Sequence, residues 1–167
     1  MLIHTALLIA GILCLIAAIA LVLWPRWVAA VPAFLGLLLM HWSYTIAVPN
    51  KTFIFWGIAT LITVGLFYLS PKGEPDGHQS SNLYVGLTAL AGGLLGILLR
   101  HPAYMVLGVI LGAAVGQLAY SRTPAGQWML NPSTMFWRYF AAKCLPVIVT
   151  VSIVCIAIMG VDRKSVV

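Results

Sequence analysis

Between two apolar stretches, the segment Lys72-Gly-Glu74-Pro-Asp76-Gly-His78 places two carboxylates and an imidazole at alternate positions. Oxygen and imidazole donors so arranged could meet one divalent cation. Gly73, Pro75 and Gly77 are turn residues, however, and no second ligand cluster lies elsewhere in the chain. A solvated turn explains the segment better, and no metal is expected. The other histidines, His4, His41 and His101, are dispersed and form no paired spacing of the helical zinc kind. His41 lies in Met40-His-Trp-Ser-Tyr44 and reads first as a hydrogen-bonded interfacial histidine. A substrate or proton contact is its alternative, because ionisable groups within a membrane are often functional. Cys14, Cys144 and Cys155 all sit in apolar runs, where cysteine behaves as a small hydrophobe. Their odd number and wide spacing support neither a disulfide framework nor a metal motif.

Catalysis requires a nucleophile with its base, paired carboxylates or a metal. The only acids are Glu74, Asp76 and Asp162, and all three lie outside the apolar runs. No serine elbow, phosphate loop or zinc signature occurs, so the chain is expected not to be an enzyme and to carry no cofactor. The same shortage argues against an ion-coupled transporter, whose site usually includes an intramembrane carboxylate or broken helices.

The elements that must position these residues follow from composition. Of 167 residues, 62% are hydrophobic and 7% charged, against ~45–50% and ~25% in soluble domains. Nine Lys and Arg with three Asp and Glu cannot cover a water-facing surface of this size. The apolar residues fall into six runs: 2–24, 28–48, 52–69, 83–99, 102–120 and 139–160. A helix needs ~20 apolar residues to cross a bilayer, and only helices or closed barrels satisfy their backbone in lipid. Continuous runs exclude the barrel. The expectation is an all-α, polytopic integral membrane bundle, one transmembrane domain over 1–167. The first run lacks a cationic start and exceeds a signal peptide's apolar core, so it reads as an uncleaved anchor. Trp24, Trp27, Trp42, Tyr44, Trp56, Tyr68, Tyr84, Tyr104, Tyr120, Trp137 and Tyr139 mostly lie near run ends, as an interfacial aromatic belt does. The polar stretch from Gln127 to Phe140, rich in aromatics, is either interfacial or a loop packed on the bundle.

Orientation is undecided by charge. Six crossings put Lys51, Arg100, Arg163 and Lys164 on one side, and Arg26, Lys72, Arg122, Arg138 and Lys143 on the other. The positive-inside rule needs a larger bias than four against five. The net charge of +6 suits anionic headgroups, and no basic cluster suggests nucleic acid.

Glycine supplies the most specific pattern. Gly108, Gly112 and Gly116 recur every four residues and so share one ridge of a helix. The preceding run answers with Thr88, Gly92 and Gly96, and with Ala89 and Gly93 on the adjacent ridge. Helices in lipid associate through such small residues, which let backbones approach. Arg100 and His101 join the two runs tightly, and Pro102 suits a first helical turn. The fourth and fifth runs therefore form a glycine-rich hairpin, either crossing fully or re-entering on one side. The ridges serve either that hairpin alone or also a neighbouring subunit or pore. Gln117, beside the last ridge glycine, bridges helices or faces a cavity. Lys143 is expected to snorkel from the last helix.

With Tyr68-Leu-Ser-Pro71, Gly86 to Gly96, and Gly108-Val-Ile-Leu-Gly112-Ala-Ala-Val-Gly116-Gln117, the chain resembles a bacterial family of small membrane proteins, domain of unknown function four-five-six. The resemblance covers most of the chain in layout and is strong over about Tyr68 to Tyr120. It implies an N-terminal helix, a proline-marked turn, two more helices, paired glycine-rich segments and a last helix. It brings no established activity. Two departures stand out: Trp24-Pro-Arg-Trp27 replaces a Pro-Gly-rich turn, and neutral Gln117 stands where the family often has an acid. The second weakens any proton coupling through that position.

Together these readings lead to a non-enzymatic structural or accessory protein of a bacterial inner membrane, assembling through the glycine ridges as a homo-oligomer or with a membrane partner. Its other expected partners are membrane lipids. Two alternatives are a pore or small-solute transporter built on the glycine hairpin, and a lipid-binding or lipid-moving protein using Arg100 or His101 near a headgroup.

Overall fold

The computed structural model describes residues 2–23, 29–44, 46, 48–69, 80–99, 101–124, 137 and 140–165. Among them the chain is all-α, with six helices and no strand. These are α1 (Leu2–Leu23), α2 (Ala30–Trp42), α3 (Asn50–Leu69), α4 (Ser80–Leu98), α5 (Pro102–Ser121) and α6 (Leu145–Ser165), the last entered through a π-helical turn, Phe140–Cys144. The Trp24–Trp27 turn, the Lys72–His78 segment, Arg100 and the stretch from 125 to 136 lie outside the described residues.

Helix ends follow local chemistry. At the start of α5, His101 Nδ1 accepts a hydrogen bond from the Ala103 N–H at 3.4 Å, and Pro102 occupies the first turn, where no amide donor is needed. The helix closes with the Ser121 hydroxyl donating to the Leu118 carbonyl at 2.8 Å. The second apolar run is less helical than its hydropathy predicts. α2 holds only 13 residues, about 20 Å at ~1.5 Å per residue. The Ser43 hydroxyl donates to the Met40 carbonyl at 2.8 Å, and Tyr44 adopts φ 56°, a left-handed turn that ends the helix. Pro49 then biases the preceding residue away from helix. Beyond that turn, Ile46 and Val48 are buried outside any helix.

α1 and α5 are long and apolar enough over their described residues to cross a membrane, with 21 and 20 residues respectively. The other apolar stretches, Ala30–Trp42, Asn50–Leu66, Leu83–Leu98 and Leu145–Val161, are shorter over theirs.

Successive helices run antiparallel. His4 meets Tyr44 at one end of the bundle, with ring centroids 5.8 Å apart, while Val22 meets Gly86 at the other. At the first end Ile46 and Val48 lie over Gly160 of α6. α6 packs against all five other helices, and every residue from Val149 to Cys155 is buried. It separates two apolar cores. One gathers Leu15, Ala18, Ala30, Ala33, Leu37 and Trp56 around Val149, Ile153 and Ala157. The other gathers Val85, Ala89, Met105, Val109 and Ala113 around Val147, Val151 and Cys155. In contrast α1, α3, α4 and α5 turn large apolar side chains outward, among them Leu13, Ile58, Leu61, Leu95 and Leu111.

Candidate functional site

Among the described glycines, those of the α4–α5 seam bring backbone nearest to backbone. A Cβ added at Gly92 would overlap the Gly108 carbonyl oxygen, and one at Gly108 would overlap that of Gly92. Gly96 lies against the Met105 Cα, and Gly112 against the Thr88 carbonyl. At Gly116 the obstacles are the Thr88 hydroxyl and, at 2.8 Å, the Tyr84 carbonyl. Each glycine thus removes a side chain at a place where only a hydrogen fits. Such proximity gains dispersion and Cα–H···O contacts, which outweigh the ~1 kcal/mol helix penalty of each glycine. Thr88 contributes twice: its carbonyl forms part of the seam, and its hydroxyl donates within its own helix to the Tyr84 carbonyl at 2.7 Å.

Gly93, on the adjacent ridge, lies where α6 and α5 meet. A Cβ there would stand 2.9 Å from Cys155 Sγ of α6, 3.0 Å from Val109 Cγ2 of α5 and 3.5 Å from Val151 Cγ1 of α6. One α4 ridge thus meets α5 backbone to backbone, and the other meets side chains of both α6 and α5. The ridge of α5 is occupied by α4 of the same chain, with Gly96 and Gly116 buried and Gly92, Gly108 and Gly112 half-buried.

The polar residues singled out from the sequence do not converge. Gln117 is fully buried, and its Oε1 accepts from the Cys144 thiol at 3.6 Å, a contact that ties α5 to the π-helical turn. His41 packs against Phe53 with ring centroids 4.5 Å apart and the rings tilted by 54°, and its Nδ1 is buried without a hydrogen-bond partner. His101 is exposed and acts as the cap of α5. His41 and His101 belong to one end of the bundle, Gln117 to the other. No group of three or more His, Cys, Asp or Glu among the described residues could hold a metal ion. The three described cysteines are free thiols.

Two features escaped the sequence reading. Gly11 of α1 and Gly36 of α2 form a second seam: a Cβ at Gly36 would stand 2.9 Å from the Gly11 carbonyl oxygen, and one at Gly11 would stand 3.1 Å from that of Gly36. Each glycine is alone on its helix face, so no repeat announces it. They do lie at similar distances along the chain on either side of Pro25, which an antiparallel pairing brings level. The second missed feature is Ser152, fully buried in the middle of α6 with an unpartnered hydroxyl.

No protein-family model matches the chain, and neither the curated proteins nor the solved structures provide a match. The resemblance drawn above rests on the quoted residues alone.

Proposed function

We propose that the chain is a polytopic integral membrane protein of a bacterial inner membrane, with all six helices embedded, serving as a non-enzymatic structural or accessory component. The observation that carries this reading is the distribution of side chains. α6 is enclosed from Val149 to Cys155, while the surrounding helices present Ile9, Leu13, Ile16, Ile58, Leu61, Ile62, Leu94, Leu95, Leu107 and Leu111 outward. Soluble monomers rarely expose contiguous apolar patches beyond a few hundred Å². α1, α2, α4 and α5 contain no Lys, Arg, Asp or Glu at all, and Lys51 sits in the first turn of α3. Lipid is a solvent in which that surface is stable.

The absence of an acid from the described helices other than at the end of α6 favours a scaffolding part over proton-coupled transport. Association with a second copy or another membrane protein would use the outward faces, because the Gly92/Gly96 and Gly108/Gly112/Gly116 ridges are engaged within the hairpin. Leu61→Lys tests the lipid reading. Leu61 is 72% exposed near the middle of α3. In water a lysine there would be harmless or would aid solubility. In lipid it costs ~2.5–3.5 kcal/mol at a helix centre, and the fraction of protein in the carbonate-resistant membrane pellet should fall severalfold. A variant that inserts like the parent would overturn the reading.

A further inference from the structure

Within each glycine-seamed hairpin the helices touch backbone to backbone, Gly92 on Gly108 and Gly112 on Thr88 in one, Gly36 on Gly11 in the other. Between the hairpins, and from α4 to α6, the contacts at glycine are mainly with side chains. Gly86 of α4 meets the Val22 side chain of α1 at 3.0 Å, and Gly93 meets the side chains of Cys155 and Val151 of α6 as well as that of Val109 in its own hairpin. Interlocked backbones move as one body, whereas aliphatic side chains slide over one another in small shear steps.

The shape of α6 fits a sliding surface. At about 100° per residue, Val149, Ile153 and Ala157 form the face turned to the first core. Val147, Val151 and Cys155 form the face turned to the second. Ser152 falls midway between Cys155 and Val149, about 60° from each on that helical spacing, on a boundary between the cores. Its hydroxyl is the one buried side-chain oxygen among the described residues that lacks a hydrogen-bond partner. Thr150, nearly opposite, is satisfied by donating to the Pro146 carbonyl at 2.7 Å. Below them α6 begins with a π-helical turn followed by Pro146, which has no amide to donate to the preceding turn. Such interruptions are where helices bend.

We propose that α1–α2 and α4–α5 shift as two rigid bodies against α6, and that this motion opens the core boundary at Ser152 to water. The proposal rests on the lipid reading above and supplies a polar path that the closed bundle lacks. In the closed form the Ser152 hydroxyl is unpartnered; in the open form water hydrates it.

The test uses the full chain in nanodiscs with Cys14, Cys144 and Cys155 replaced by alanine. Spin labels at Leu35 and Leu111 report across the hairpins, and pairs at Leu13/Leu35 and Leu95/Leu111 report within them. Two distance populations across the hairpins with one narrow population within each are expected. In parallel, Ser152→Cys should react with a small charged thiosulfonate roughly tenfold faster than Ile153→Cys, which faces a core and is exposed only by larger openings. One narrow distance for all three pairs, or broad distances within the hairpins, overturns the proposal. Equal reactivity of the two cysteines, or reaction at neither, overturns it as well. Failure of the lipid reading is distinguishable, because the chain would then stay monodisperse without detergent or nanodisc.

Discussion

Alanine at Gly92 sets two helix effects of opposite sign against each other. In an unobstructed helix, Gly→Ala stabilises by ~1 kcal/mol. At Gly92 the added Cβ overlaps the Gly108 carbonyl oxygen, and ordinary carbon–oxygen separations of ~3.3–3.6 Å are restored only if the helices part by about 1 Å. A gap of that size forfeits a quarter to a half or more of each dispersion contact along the line. Four close approaches share it: Gly92 with Gly108, Gly96 with Met105, Gly112 with Thr88, and Gly116 with Tyr84. At ~0.5–1 kcal/mol for each approach, the seam stands to lose ~2–4 kcal/mol. Subtracting the propensity gain leaves Gly92→Ala destabilising by ~1–3 kcal/mol. Gly65 provides the control, because a Cβ there meets nothing within 4 Å. Gly65→Ala should therefore stabilise by ~0.5–1 kcal/mol. Thermal unfolding in one detergent, followed by far-ultraviolet circular dichroism, ranks the two variants against the parent. If Gly92→Ala is as stable as the parent, or if Gly65→Ala is the more damaging of the pair, the seam is not held by backbone proximity and the reasoning fails.

Other consequences can be checked with the same preparation. Gly36→Leu drives a branched side chain into the Gly11 carbonyl and Leu15, and should cost ~2–4 kcal/mol as an overpacked core does; a shift in unfolding midpoint no larger than that of Gly65→Leu would refute the second seam. Ser152→Ala removes an unpartnered buried hydroxyl and should raise stability by ~1 kcal/mol; a loss of stability would mean that the hydroxyl is bonded in the closed bundle.

Much of this architecture is legible in the sequence because its helices are written in long apolar runs. The runs that became α1, α3 and α5 agree with their helices to within a few residues. The same signal misleads after Trp42, where Ile46 and Val48 continue the hydropathy of α2 but pack on α6 outside any helix. Hydropathy records the need for burial and is silent on whether a helix supplies it. The four-residue glycine repeat is visible because its members are neighbours along one helix, whereas Gly11 and Gly36 find each other only through the folded hairpin. The centrality of α6 is hidden for a different reason. A helix apolar all round ordinarily announces burial, but in this chain α1 and α5 are more apolar than α6 and lie outside. Val, Thr, Ser, Ile and Cys through α6 distinguish it only by size, as small and β-branched groups that fit between five neighbours.

The enclosed position of α6 has a consequence for synthesis. Chains emerge N-terminus first, so α1 to α5 are made before the helix around which both cores close. Each hairpin can zip as soon as its second helix forms, since its glycine seam asks for nothing outside itself. The space between them has no occupant until α6 arrives. Nascent chains arrested before Pro146 would therefore hold two finished hairpins around an unfilled centre, the stage at which cellular quality control finds most to seize.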